Sequence, residues 1–141
     1  MTRISFYILK GQQEHDRQVF ACRLIEKAYL QGNDVYVHLE NEQQAIQLSQ
    51  TLWSFRPDSF VPHDLMHQQY DTTSPILIGY NASPPRLMNL LVNLSPQQPM
   101  FFSQFERVAE FINDDEQIKQ DGRERYRFYQ QRGYELESHT I

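Results

Sequence analysis

Residues 4–9 (Ile4, Ser5, Phe6, Tyr7, Ile8, Leu9) are almost wholly apolar, and residues 35–39 repeat the pattern. Runs this short, rich in β-branched and aromatic side chains, read as strands buried on both faces. Between them, residues 13–31 carry helical spacing. Val19, Cys22, Ile25, Ala28 and Tyr29 fall on one face, and Arg17, Arg23, Glu26 and Lys27 fall largely elsewhere. Gly32-Asn33 stops that helix. Asn41 can cap a second one over 42–54, with Ala45, Leu48, Leu52 and Trp53 inward. Strand, helix, strand and helix in close succession call for a parallel sheet covered by helices, because parallel neighbours need a crossover between them. At 141 residues the chain has room for one such domain, spanning 1–141.

The rest of the chain extends the pattern. Arg56-Pro57-Asp58 ends the second helix, and 56–74 is a long connection holding Phe60, Val61, Pro62 and Leu65. Strands are expected at 75–80, 87–94 and 107–112, with a short helix or turn at 100–105. Asn113, Asp114, Asp115 and Glu116 open a last helix that runs to about Gln131, where Gly133 stops it. No element is assigned to the residues after Gly133.

Several kinds of chemistry lack residues to carry them. A phosphate cradle needs several glycines, or a Gly-Lys-Ser/Thr ending, so that backbone N–H groups can approach the anion. The first strand-to-helix turn offers only Lys10-Gly11-Gln12-Gln13. His63 and His67 are four apart, but no third ligand has a suitable spacing, so they read as two loop histidines and no metal is expected. Cys22, the single cysteine, excludes a disulfide and reads as a buried structural thiol. No Ser/His/Asp arrangement stands out, so no catalytic residue and no cofactor are expected. The N-terminus shows no apolar leader and no run approaches a membrane span, which suits a cytoplasmic protein.

Two features remain. The net charge is −5, yet five of the 13 basic residues (Lys119, Arg123, Arg125, Arg127, Arg132) lie within 119–132, opposed there only by Asp121 and Glu124. Helical spacing sets Ile118, Gly122, Arg125 and Tyr129 on one side, and Lys119, Arg123, Tyr126, Arg127 and Gln130 on the adjacent side. A phenol among cations suits an acidic peptide carrying an apolar side chain, although a solvated basic helix face accounts for the same charges. The second feature is aromatic: Trp53, Phe55 and Phe60 cluster around Arg56-Pro57, either as core or as anchors for a partner.

The segment Leu52-Trp53, Arg56-Pro57, Ser59-Phe60-Val61-Pro62-His63 and Leu65 resembles the signature of the chi subunit family of bacterial DNA polymerase III. So do the opening Phe6-Tyr7-Ile8-Leu9, the spacing Cys22, Ala28-Tyr29, Gly32, and the block Lys119, Arg123-Glu124-Arg125-Tyr126-Arg127, Tyr129. The resemblance runs over essentially the whole chain, in order. It implies an α/β fold of mononucleotide-binding-like (Rossmann-like) topology without a phosphate loop. It also implies a non-catalytic accessory part of a DNA-directed DNA polymerase holoenzyme. Such a subunit joins the psi subunit, and through it the clamp-loader complex, to the acidic C-terminal tail of single-stranded DNA-binding protein, touching DNA only indirectly and no membrane. By the motif, Lys119, Arg123 and Tyr126 fall on the tail site, Arg127 on a neighbouring basic position and Ile112 on an apolar pocket position. Gln130 stands where the family often has a further cation, and Arg132 is a possible substitute. Trp53 and Phe60 match the psi-facing aromatics, with Arg56, Pro57 and Val61 as neighbours. Two rivals are a Rossmann-like nucleotide-binding enzyme and a direct reader of single-stranded DNA.

Overall fold

A computed structural model describes all 141 residues. Seven strands form one wholly parallel sheet: β1 (Arg3–Ile8), β2 (Val35–Leu39), β3 (Asp64–Leu65), β4 (Ile76–Tyr80), β5 (Leu90–Asn93), β6 (Arg107–Ile112) and β7 (Glu135–Thr140). Their order across the sheet is β3-β4-β2-β5-β6-β1-β7. The helices are α1 (Glu14–Leu30), α2 (Glu42–Ser54) and α3 (Glu116–Gln131), with a single 3-10 turn at Phe102–Gln104.

The period-two alternation of the strands builds three layers. Val35, Val37, Leu39, Ile76, Ile78, Val92, Leu94, Ala109 and Phe111 face α1 and α2, meeting Ala21, Cys22, Ile25, Ala45, Leu48 and Leu52. The alternate residues Ile4, Phe6, Tyr36, Leu77, Leu91 and Val108 form a second core with Phe102, Phe105 and Tyr129 on the α3 side. Asn41 caps α2 as expected, accepting from the Gln44 N–H at 2.9 Å. Asp115 caps α3 through the Ile118 N–H at 3.1 Å.

The structure departs from the sequence-based expectations in several places. The strand expected at 87–94 contracts to Leu90–Asn93, because Leu87 is exposed and Asn89 is committed to the Asp34 N–H. The two-residue β3 falls inside the long connection, and β7 falls in the tail given no element. Both are edge strands, held by backbone pairing to one neighbour and carrying too few apolar residues to leave a pattern. Arg17, expected on the outer face of α1, is buried. Its guanidinium pairs with Glu14 at 2.6 Å and reaches the carbonyls of Leu94 and Phe111 at 3.4 Å. Trp53, placed inward by helical spacing, is 46% exposed at the last turn of α2.

α3 is fastened to the sheet by a charge. Glu110 on β6 is wholly buried and receives Arg125 Nε at 2.8 Å, Tyr129 Oη at 2.7 Å and Asn93 Nδ2 at 3.0 Å. Arg125 also donates to the Pro96 carbonyl at 2.8 Å. A buried carboxylate is tolerable because three donors, one of them a guanidinium, satisfy it. Arg125 therefore leaves the basic stripe: it is an internal strut. With Arg125 and Tyr129 turned inward, the 3.6-residue repeat turns Lys119, Arg123 and Tyr126 toward the flank of α3.

Candidate functional site: a cationic groove beside the last helix

The flank of α3 and the ends of β1, β6 and β7 enclose an open groove of about 530 Å³. Its lining includes Lys119, Arg123, Tyr126, Arg127 and Ile112, so all five residues assigned to one site in the sequence meet here. Phe6, Ile8 and Ile112 give an apolar floor. Tyr126 is half-buried and rests on Phe6, with ring centroids 5.2 Å apart. Arg123 and Arg127 are exposed and make no ion pair, and Lys119 Nζ lies 4.0 Å from Asp114 Oδ1. Three cations thus face one carboxylate in a chain whose overall charge is −5. Chemically, such a lining can pair with an anion and cover an apolar side chain attached to it.

Close approach of α3 to β6 shapes the floor. A Cβ at Gly122 would stand 2.6 Å from both Cγ1 and Cδ1 of Ile112, so only glycine lets the helix lie this close. The sequence did not mark Phe6, Ile8, Asn113, Asp114 or Ser138 as lining residues. Phe6 and Ile8 read simply as core strand, and Ser138 lies on the unassigned β7. Neither Gln130 nor Arg132 lines the groove. Arg132 instead stacks over the Phe128 ring at 3.7 Å from its centroid.

The turn after β1 is a clasp between Gly11 and Asp114. The Gly11 N–H donates to Asp114 Oδ2 at 3.1 Å, and the Asp114 N–H donates to the Gly11 carbonyl at 2.9 Å. A carboxylate therefore occupies the amide that would meet an anion, and Glu14 and Asp16 sit in the first turn of α1. Above the ends of the central strands, the neighbouring crevice is lined by Glu14, Glu40, Asp115 and Asp121, with Arg17 and Arg125 already committed inside the protein. No three His, Cys, Asp or Glu side chains group as a metal site, and no helix is long and apolar enough to cross a membrane. His63 is held by Ser49 Oγ at 2.8 Å and the Val61 carbonyl at 2.8 Å, and Cys22 is buried, with its thiol pushed up to about 12 by burial.

The aromatic cluster forms a separate surface at the end of α2. Phe60 is 71% exposed and packs on Trp53 with centroids 5.2 Å apart, and Trp53 in turn lies 4.4 Å from the His63 ring. Arg56 and Pro57 are exposed beside them, and Arg56 and Ser59 both bond to Glu26 of α1, which fixes the loop. Val61, grouped with these residues in the sequence, is fully buried in the core under α1 and α2 and contributes no surface. Its role is to hold the loop down so that Phe60, one residue earlier, points outward.

Comparison with known proteins agrees with this architecture. The family model described as "DNA polymerase III chi subunit, HolC" matches residues 1–137. DNA polymerase III subunit chi of Pseudomonas aeruginosa is 39% identical over 141 residues, covering all of this chain and 98% of the relative. The chi subunits of Haemophilus influenzae and Escherichia coli are 29% and 28% identical, covering 96% and 99% of this chain and 95% and 99% of theirs. Among solved structures, the crystal structure of T4 UvsW superposes on 99% of this chain with a TM-score of 0.70 at 8% identity. The chain spans 41% of that structure's length, and the likeness is one of fold. With a match that runs from the first residue to 137 and relatives aligned end to end, this chain belongs to the DNA polymerase III chi subunit family and is a replication accessory subunit.

Proposed function

We propose that the chain is a bivalent, non-catalytic tether. The groove beside α3 reads the acidic C-terminal tail of single-stranded DNA-binding protein, and the Trp53–Phe60 surface holds the psi subunit and so the clamp-loader complex. The observation that carries the reading is the convergence of Lys119, Arg123, Tyr126 and Arg127 over the apolar floor of Phe6, Ile8 and Ile112 in a chain that is otherwise acidic. Lysine and arginine pair with the carboxylates of such a tail, and the floor takes the side chain of its last, apolar residue. Asp114 at the groove's edge and the overall negative charge weigh against a phosphodiester backbone as the ligand. Each tail contact need only be weak, because many tails on one coated strand raise the effective concentration. The exposed Trp53–Phe60 pair offers the aromatic, rigidly mounted surface that protein partners bury.

Calorimetric titration with an acidic tail peptide tests the groove. Arg123 is exposed in the free chain, so Arg123→Ala is expected to cost about 1–2 kcal/mol, more than a surface pair and less than a buried one. Unchanged affinity rejects the site, and comparable binding of naked single-stranded DNA by the wild type favours a direct nucleic-acid reader instead. Trp53→Ala is expected to abolish capture of the psi subunit while leaving peptide affinity intact. Loss of both together would mean that the variant has unfolded.

A further inference from the structure

Helical spacing points Trp53 inward, the structure turns it outward, and His63 stands in the place between. Ser49 and Trp53 are four residues apart on α2, so they share one face, and a helical side chain leans back over the turn before it. The Trp53 ring would therefore come to rest on Ser49. His63 occupies that position: its Nε2 lies 2.8 Å from Ser49 Oγ, and the Trp53 ring meets the imidazole with centroids 4.4 Å apart. The other nitrogen, Nδ1, lies 2.8 Å from the Val61 carbonyl. A carbonyl only accepts, so Nδ1 carries the proton and Nε2 accepts from the Ser49 hydroxyl. Burial holds His63 below the ordinary imidazole range, which keeps the ring neutral and this tautomer in place at neutral pH. The ring is thus bonded to α2 at one end and, at the other, to the fully buried Val61. Pro62, between Val61 and His63, restricts the backbone that joins them.

We propose that His63 is a positioning residue for the Trp53–Phe60 surface: its doubly bonded ring is a wedge that keeps Trp53 standing off α2, where a partner can bury it. The inference rests on the reading of that surface as the one that holds the psi subunit. A tryptophan at a helix end has several rotamers open to it, and fixing one of them on binding costs affinity. Here the indole is seated on His63 and packs on Phe60 with centroids 5.2 Å apart, so its conformation is chosen during folding, before any partner arrives. His63 acts through Trp53 and not by contact with the partner. His67, the other histidine of the pair, has no share in this. Its Nε2 faces Glu42 at 3.5 Å, and its ring lies 5.6 Å from that of Tyr80.

Trp53 is the only tryptophan of the chain, so emission and its quenching by acrylamide read this one ring. Calorimetric titration of the full chain with the psi subunit reads the surface. His63→Ala is expected to weaken psi binding by about two- to tenfold, the cost of immobilising one side chain, and to change both the emission and the quenching of Trp53. Ser49→Ala removes one anchor beneath the ring and leaves the imidazole itself. Ser49 is buried, so its effect must pass through His63, and it is expected to move both measurements in the same direction by a smaller amount. Acidic-peptide binding in the groove stays at the wild-type value in both variants. Unchanged psi affinity in His63→Ala overturns the assignment. So does weaker psi binding with Trp53 emission and quenching as in wild type, since His63 would then act by touching the partner. A Ser49→Ala chain identical to wild type in both measurements overturns the bonded mount as well. If His63→Ala also loses the groove peptide, it has unfolded, and Ser49→Ala decides alone. If wild type does not bind psi, or Trp53→Ala binds it as tightly, the surface reading fails and this assignment with it. If Trp53→Ala loses psi while the His63 and Ser49 variants keep it, the surface reading stands and the His63 assignment falls.

Discussion

Gly122→Ala sets two well-characterised effects against each other in the middle of α3. Alanine is the better helix former, and in an open helix the change stabilises by about 1 kcal/mol. Here the new Cβ would lie 2.6 Å from Cγ1 and Cδ1 of Ile112 and 3.7 Å from Arg125 Nη2. Contacts that short force Ile112 off its rotamer or lift the helix, an overpacking cost of about 1–3 kcal/mol. Lifting is resisted because Arg125 and Tyr129 hold Glu110 at 2.8 Å and 2.7 Å. The expected net is a loss of up to about 2 kcal/mol, or a melting temperature lower by up to about 8 °C for a chain of this size. Displaced Ile112 would also intrude on the groove it lines, so peptide affinity falls with the stability. Paired calorimetric melts at one pH, with a peptide titration on each variant, measure both. Adding Ile112→Val removes Cδ1 and is expected to recover part of the loss, a coupling that independent sites would not show. A melting temperature that rises, with peptide affinity unchanged, would refute the close seating of α3 on β6.

Glu110→Gln leaves the Arg125 guanidinium buried without its carboxylate, and is expected to cost about 3–5 kcal/mol in urea unfolding. A cost below 1 kcal/mol would mean that water already reaches the pair. Acid sensitivity follows from two histidines. Burial holds His38 and His63 below the ordinary imidazole range, with hydrogen bonds to Asn93 and to Val61 offsetting it only in part. The unfolded chain then takes up protons first, near pH 6.5, so stability is complete above that pH and declines as the pH falls through it toward the folded values. Melting between pH 7.5 and 5.5 should show the decline in wild type and a shallower one in His63→Gln, and identical slopes would contradict it.

The parallel α/β frame was legible because its central strands are apolar on both faces, a pattern few other elements produce. The basic stripe was legible as well, though helical spacing alone could not separate its members by role. Arg125 and Arg123 are two residues apart, and what parts them is Glu110, which lies 15 residues before Arg125 on a neighbouring strand. Val61 was misplaced for a related reason. It belongs to an exposed loop by sequence and to the core by packing, since one residue decides which of two side chains is turned under. β7 left no trace, because an edge strand with glutamates and a histidine carries no apolar alternation, and its side-chain ties, Leu136 on the core and His139 on the Tyr7 ring, are made only once it has paired with β1. The wall of the groove depends on that strand and on the turn at Asn113, and neither is visible without the fold.

One cationic groove, and not the Trp53–Phe60 surface, is expected to receive the acidic peptide. Amide chemical-shift mapping of the full chain with an acidic C-terminal peptide distinguishes the two surfaces. Saturable shifts are expected to be confined to the β1 end, Ile112–Asp114 and Lys119–Arg127 and to fade as salt is raised, with Trp53 and Phe60 silent. Shifts centred on residues 53–63, or none at peptide concentrations that saturate the calorimetric signal, would contradict it.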